Sequence, residues 1–445
     1  MSNLHLLKKY NKPVPRYTSY PTVPFWNKTP TTQEWVDSLN RYVKPQTKWC
    51  SYLHIPFCET LCSYCGCNTI ITKDHSKLPS YLDLIFKELD LYIQKVDHLA
   101  TAPLHSLHFG GGSPSFIGAK NMASFLDKLY STLTLDQNFS GSIELDPRRV
   151  KKELITTLKK FNFNRLSFGV QDFNPHVQAC LNRLQPFEQT AKVVDYARSS
   201  GFDAINFDLI YGLPKQDMSA MEYTIECTLK LRPHRIALYS LAMVPWEKKQ
   251  QRLIKEEDLP SVELKRELYN YSREQLLTAG YVDIGMDHFA LPDDPLAIAK
   301  NNNTLHRNFM GYTEHRTDLL LGLGVSSISD TPDCFHQNQK VLPKYESYLA
   351  QNNIPTMRGH LLSEDDQKQR EKILQFMTQF AVELSSQEMQ KLKELDMYLQ
   401  DGLIELDSNY LKLTPKGEPF LRNVATFFDH YLQKNIEHPT FSKSI

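Results

Sequence analysis

The sequence predicts an α/β fold in which a parallel sheet is wrapped by helices. Two observations carry this. Six short apolar runs alternate with amphipathic segments from residue 51 onward, and parallel neighbours in a sheet need helical crossovers of this kind. Polar or glycine-rich motifs stand directly after the strand candidates, as they would on the loop-bearing face of a barrel-like fold. At 445 residues the chain has room for one large domain with added segments, or for several ordinary ones.

The strand candidates are S-Y-L-H-I-P-F (51–57), L-H-S-L-H-F (104–109), G-S-I-E-L-D (141–146), R-L-S-F-G-V (165–170), A-I-N-F-D-L-I-Y (204–211) and R-I-A-L-Y-S-L-A (235–242). Helices are expected between them, over 81–95, 121–133, 149–161, 188–199 and 221–231. In the third, Val150, Leu154, Leu158 and Phe161 share one helix face. A helix over 264–279 and the strand-like V-D-I-G-M (282–286) would extend the array. Periodicity leaves both a closed barrel and an open sheet. In either, the cysteine cluster, G-G-G-S-P (110–114), D-P-R-R (146–149), Gln171-Asp172 and Y-G-L-P (211–214) should converge on one mouth.

Two flanks lie outside this repeat. Residues 1–50 read as irregular, with P-V-P-R-Y-T-S-Y-P-T (13–22) too proline-rich for a helix interior. From residue 363 the pattern turns helical, gives two short strands within 401–417, and ends in an apolar helix to about residue 432. That order resembles a winged helix, read as a packing domain because no basic and aromatic stripe accompanies it. Lys plus Arg equals Asp plus Glu at 51 each, so no global field attracts nucleic acid or an anionic membrane. No apolar run approaches ~18 residues, and none of signal-peptide length follows Lys8, Lys9 and Lys12. A soluble, cytoplasmic protein without membrane insertion is expected.

Four of the eight cysteines stand together in C-E-T-L-C-S-Y-C-G-C-N (58–68). Clustering of this kind points to metal or redox chemistry. A redox pair at Cys62 and Cys65 would usually open a helix in a small thioredoxin-like unit. Zinc needs four closed ligands, commonly two separated pairs, and would have to take His54 or His75 as its fourth. Iron–sulfur ligation fits better, because closely spaced thiolates can reach several corners of a cube. Three ligands to four irons leave one iron open to a reactive partner. Cys50, Cys180, Cys227 and Cys334 are isolated and read as ordinary small residues.

The C-x3-C-x2-C spacing after a strand resembles the radical S-adenosylmethionine (SAM) signature, and Gly110-Gly111-Gly112 is similar to that superfamily's glycine motif. More narrowly, the chain resembles the oxygen-independent coproporphyrinogen III oxidases (dehydrogenases) over nearly its whole length. The matching stretches are P-R-Y-T-S-Y-P-T (15–22), Y-L-H-I-P-F-C (52–58), C-G-C-N (65–68), H-F-G-G-G-S-P-S (108–115), I-E-L-D-P-R (143–148), N-R-L-S-F-G-V-Q-D-F (164–173), F-D-L-I-Y-G-L-P-K-Q (207–216), G-M-D-H-F-A (285–290), H-R-N-F-M-G-Y-T (306–313) and L-G-L-G-V-S-S-I-S (321–329). The paralogous radical-SAM haem chaperone, the alternative function, lacks the fourth cysteine and the first of these segments.

The resemblance implies a partial (β/α)6 TIM-like radical SAM barrel over 51–362 with its extension, an N-terminal segment over 1–50, and a mainly helical, winged-helix-like C-terminal domain over 363–445. It implies that Cys58, Cys62 and Cys65 hold one 4Fe-4S cluster whose open iron chelates SAM. Cys67 would be no ligand but a residue the oxidase needs near the active site. Tyr52, Gly111, Glu144 and Ile328 would contact the cluster-bound SAM. Tyr64, Gly112, Ser113, Gln171, Arg183, Asp208 and Ala242 would contact a second SAM molecule. Tyr64 stands where Phe is frequent and Ser113 where Thr is frequent. The residue types suit such contacts: Glu144 and Asp208 can accept from ammonium or ribose hydroxyl groups, and Arg183 can pair with a carboxylate. Asp208, inside an apolar strand, is costly unless partnered.

The implied reaction is oxidative decarboxylation of two propionates of coproporphyrinogen III to vinyl groups by a SAM-derived 5'-deoxyadenosyl radical, giving protoporphyrinogen IX for haem synthesis. Electrons would come from a flavodoxin or ferredoxin system, and the protein is expected to be a monomer. A substrate with four carboxylates in a neutral protein calls for local cations. Arg16, Arg148 and Arg307 are the candidates from the matched segments.

Overall fold

The structure, a computed structural model, describes residues 4–432 and 441–444. Its centre is a twelve-stranded sheet. In chain order the strands are β1 (Trp49–Ile55), β2 (Leu104–Gly111), β3 (Leu135–Leu145), β4 (Phe163–Gln171), β5 (Ala204–Tyr211), β6 (Arg235–Ser240), β7 (Val282–Gly285), β8 (His288–Ala290), β9 (Leu320–Leu323), β10 (Ile328–Thr331), β11 (Cys334–Asn338) and β12 (Thr356–Leu361). Their spatial order is β12-β11-β10-β9-β1-β2-β3-β4-β5-β6-β8-β7. Strands β1 to β6 run parallel, each joined to the next through a segment that contains a helix. The ends of the sheet do not pair, so the array is an open, partial (β/α)6 barrel.

Alternation along the strands explains why this sheet encloses a polar space. Leu107, Phe109, Ile143, Leu166, Phe168, Ile205, Phe207, Ile236 and Leu238 are fully buried in the main core. Their immediate neighbours Ser106, His108, Ser142, Glu144, Arg165, Ser167, Asn206, Asp208 and Ala237 point the other way and line a common cavity, as a period of two requires. The register stacks these polar groups in rows: Tyr52 opposes His108, Glu144 opposes Ser167, and Asp208 opposes Ala237. At one end of this lumen Arg235 pairs with Asp294 at 2.6 Å and Arg165 with Glu314 at 3.3 Å.

Four features differ from the expectation. The segment before β1 is not uniformly irregular. Helices Leu4–Tyr10 and Thr32–Tyr42 flank the proline-rich stretch, and the second starts on a Thr31/Glu34 capping box and buries Trp35. Residues 282–286 do extend the sheet, but at its edge and antiparallel through β8. Strands β9 to β12, four to six residues each, were not marked by periodicity; they widen the other edge. In the C-terminal region, helix Glu364–Gln379 precedes a small antiparallel sheet of Ala381–Glu383, Tyr410–Leu413 and Ile404–Asp407. The apolar stretch after it is divided into short helical pieces, Glu418–Phe420, Leu421–Ala425 and Thr426–Phe428, rather than one helix, and the Thr426 hydroxyl bonds back to Asn423 O. Among the described residues no helix is long and apolar enough to cross a membrane.

Candidate functional site

Parallel strands deliver their C-terminal loops to one end, and there a cavity of about 430 Å³ opens. Cys58, Cys62, Tyr64, Cys65, Cys67, Gly111, Gly112, Ser113, Glu144, Gln171, Arg183 and Asp208 line it, so twelve of the fifteen residues singled out in the sequence meet at one place. None of the four cysteines is in a disulfide. Their loop is held from two sides. Ser63 N donates to Leu181 O at 3.2 Å and Asn182 Nδ2 to Leu61 O at 2.9 Å. Gln250 Nε2 donates to Cys65 O at 2.5 Å, while Gln251 Nε2 reaches Tyr64 O at 2.9 Å and Ala242 O at 3.0 Å. Gln250 and Gln251 lie in a segment without periodicity or motif, and nothing in the sequence marked them.

The thiols are not equivalent. Burial, then its neighbours Cys65 and Cys62, push the Cys58 thiol up to about 12. A hydrogen bond with Cys67 brings Cys65 down to about 6. The side chains required by a closed zinc site are engaged elsewhere. His54 is buried, with its ring nitrogens on Tyr52 Oη at 3.1 Å and Asn68 O at 2.9 Å. His75 stacks on Phe116 and faces Glu59. Among the described residues no three His, Cys, Asp or Glu side chains group around a single ion. Three unpaired thiols arrayed around a cavity suit a multi-iron body.

Opposite the cysteines stand the carboxylates. Glu144, a little under half exposed at its side chain, accepts from Gly111 N at 3.1 Å and lies 3.5 Å from His108 Nε2. Asp208 accepts from Ser167 Oγ at 2.8 Å and Asn206 Nδ2 at 3.0 Å. Among the described residues no cation pairs with it. Burial, followed by the nearby Glu144 charge, raises its carboxyl to about 6. Among the buried polar atoms of the lining residues that lack partners are Ser113 Oγ and Arg183 Nε; such orphans mark places where a ligand's polar groups can be received. The rest of Arg183 is held by Gly169 O at 2.6 Å and Asp146 at 3.4 Å, with Nη1 3.7 Å from Cys62 Sγ.

The glycines act partly against the protein itself. Gly111 has φ +112°, and a Cβ there would stand 2.6 Å from the His54 ring; at Gly112 it would meet Pro56 O at 2.7 Å. Three of the singled-out residues do not line the cavity. Tyr52 lies behind Gly110 and stacks on His108. Ile328 is on β10, with its backbone against Gly322, the register partner of Tyr52. Ala242 is exposed and offers its carbonyl to Gln251. Of the other motifs expected at the mouth, Asp172 is buried in bonds to Gln216 and Thr224, and Tyr211 faces a different cavity.

The three candidate arginines also separate. Arg148 lines the cavity but is bidentate to Asp146, with contacts of 2.7 and 3.0 Å. Arg16 pairs with Asp287, and its guanidinium lies 5.7 Å from the Tyr239 ring. Arg307 is buried, with Nε and Nη1 unpartnered.

With this geometry in place, similarity to known proteins sharpens the chemistry. Residues 52–227 match the Radical SAM superfamily. The chain is 39% identical to a Synechocystis protein named oxygen-independent coproporphyrinogen III oxidase, covering 99% of this chain and 97% of that one. It is 37% identical to the Escherichia coli protein of the same name, covering 100% and 98%. The solved structure of the Escherichia coli coproporphyrinogen III oxidase, described as a radical SAM enzyme, superposes with a TM-score of 0.89 at 36% identity, covering 97% of this chain and 99% of the other.

Proposed function

The chain belongs to the oxygen-independent coproporphyrinogen III oxidases of the radical SAM superfamily, and from that premise we propose how its own residues carry out the reaction. The enzyme converts two propionates of coproporphyrinogen III to vinyl groups without oxygen, giving protoporphyrinogen IX in haem biosynthesis. The observation that carries this reading is the meeting of three thiols free of disulfides, a glycine edge and two carboxylates without a Lys or Arg partner among the described residues at the mouth of six parallel strands. No observation favours a haem carrier without oxidase activity.

The family implies a 4Fe-4S cluster and SAM. Cys58, Cys62 and Cys65 are the proposed cluster ligands, three of the free thiols that line the cavity. When bound, the cluster and SAM would supply the one-electron, hydrogen-abstracting chemistry that oxidative decarboxylation of a propionate requires. The protein's part is position and exclusion of water. Glu144, with its carboxylate half-open, is placed to accept from the SAM ammonium, flanked by the Gly111 backbone, Tyr52 and Ile328. Tyr64, Gly112, Ser113, Gln171, Arg183, Asp208 and Ala242 are proposed to hold the second SAM. Asp208 would accept from its ribose hydroxyls, and the orphaned Ser113 Oγ and Arg183 Nε would receive its polar groups. Cys67, exposed at the cavity, is proposed to present its thiol to the substrate rather than to hold iron. A flavodoxin or ferredoxin system is the proposed electron source for a monomeric enzyme.

The test is anaerobic incubation of cluster-loaded protein with reductant, SAM and coproporphyrinogen III. Formation of 5'-deoxyadenosine and protoporphyrinogen IX is expected. Stoichiometric haem binding with neither product would reject the oxidase in favour of a carrier.

A further inference from the structure

A second cavity, of about 550 Å³, lies where the sheet edge, helix Val262–Thr278, the N-terminal segment and the C-terminal region meet. Its lining is rich in cations: Arg16, Arg266, Arg273, Lys300 and Arg422. The facing carboxylates are largely matched. Arg16 takes Asp287, and Arg273 takes both Asp283 and Glu418, at 2.7 and 3.1 Å. Glu274 is solvent-exposed.

What remains is positive. Among the described residues Arg266, Arg422 and the adjoining Lys265 have no carboxylate within ion-pair distance. Arg422, only 7% exposed, is held by the carbonyls of Val14, Lys443 and Ser444. Lys265 lies along Gly212, with Nζ on Leu241 O at 3.3 Å and 5.9 Å from the Tyr211 ring. Arg266 rests 4.9 Å from the Tyr269 ring. Burial and then the nearby Arg422, Lys443 and Arg16 charges lower the Lys265 ammonium to about 8. Gathering like charges out of water is costly unless an anion offsets them.

The cavity meets the cysteine cavity at consecutive residues of β6, Tyr239 and Ser240. Arg16 lines the second and stacks over Tyr239, which lines the first, while Ser240, the next residue of β6, turns back into the second. We propose that the second cavity is a carboxylate-binding site in which Lys265, Arg266 and Arg422 receive a propionate of the tetrapyrrole that is not reacting, while another propionate is presented among the cysteines. This assignment rests on the substrate class in the preceding section. It explains how a chain of zero formal net charge accommodates a tetracarboxylate: the cations sit in a compartment of their own, away from Glu144 and Asp208.

Equilibrium dialysis under anaerobic conditions, with cluster-loaded full-length protein and coproporphyrinogen III in the absence of SAM, tests this apart from catalysis. The variants are Lys265→Met, which keeps the stem against Gly212, and Arg266→Gln, whose guanidinium holds no described hydrogen bond. Each is expected to weaken binding about ten-fold or more, the worth of a charge-assisted contact, and inorganic phosphate is expected to compete with the substrate in the unaltered protein. Affinity unchanged within two-fold in both folded variants would overturn the proposal, as would phosphate binding that leaves coproporphyrinogen III affinity untouched, the mark of a site for a separate anion. Protein that binds the tetrapyrrole in this variant-sensitive way but never decarboxylates it would break the assigned reaction while upholding the site.

Discussion

The two cavities on either side of Tyr239 differ in which charges they leave without an ion-pair partner. The one at the strand ends holds thiols, backbone glycines and the carboxylates Glu144 and Asp208, while its arginines, Arg148, Arg165, Arg183 and Arg235, are each paired with another carboxylate. The one beneath the C-terminal region holds guanidinium and ammonium groups with fewer carboxylates than cations. SAM is a sulfonium with an ammonium group, and coproporphyrinogen III carries four carboxylates. Separating their counter-charges keeps each ligand's complement from being quenched by the other's. At the low effective dielectric of a buried site, neighbouring opposite groups would simply pair. That is the fate of Arg148, whose guanidinium is taken by Asp146 inside the cysteine cavity.

Removing the thiols is the most severe way to disable the first compartment. Alanine at Cys58, Cys62 or Cys65 is expected to abolish bound iron and turnover together, with coproporphyrinogen III affinity preserved; iron assay and dialysis on the same samples read this. Cys67→Ser is expected to keep the iron content and lose decarboxylation by about a hundred-fold or more, the range for losing a side chain that takes part in acid–base chemistry at the substrate, the role this prediction assigns to the thiol. Loss of the cluster in Cys67→Ser would show that Cys67 is a ligand.

Next in size is Gly111→Ala. The residue would need φ +112° with its Cβ 2.6 Å from the His54 ring, and strained backbone of this kind costs about 1–3 kcal/mol. A lower melting temperature and weakened SAM binding are expected. Glu144→Gln keeps the shape but removes the charge, and should weaken SAM binding about ten-fold, as for a lost charged hydrogen bond. It should leave coproporphyrinogen III binding in place.

The smallest effect is on pH. Asp208, facing Glu144, Ser167, Asn206, His108 and Tyr239, has its carboxyl raised to about 6, so protonation there weakens acceptance from a cationic ligand as pH falls through that value. Folding stability runs the other way. A carboxyl that holds its proton to higher pH when folded loses stability as pH rises from the unfolded range toward about 6. SAM affinity that stays flat while Asp208→Asn shifts it would contradict the first of these.

Much of the first compartment was legible in the sequence. The thiols stand within ten positions, each motif follows a strand, and parallel strands bring their ends together. Arg266, Arg422 and Lys265 carried no such mark. They come from a helix and a C-terminal turn far apart in sequence, and only the packing of the C-terminal region against the sheet edge gathers them. Gln250 and Gln251 escaped for a similar reason, since a glutamine that clamps a distant loop by its amide leaves no local pattern. Arg16 read as one candidate among three; its place over Tyr239 depended on tertiary structure.

Stoichiometry tests the assigned reaction most directly. Cluster-loaded protein should release two CO2 and two 5'-deoxyadenosine for each protoporphyrinogen IX formed anaerobically, and none of these from the Cys62→Ala variant. SAM cleavage without CO2, or product formation that persists when the thiol trio is broken, would contradict it.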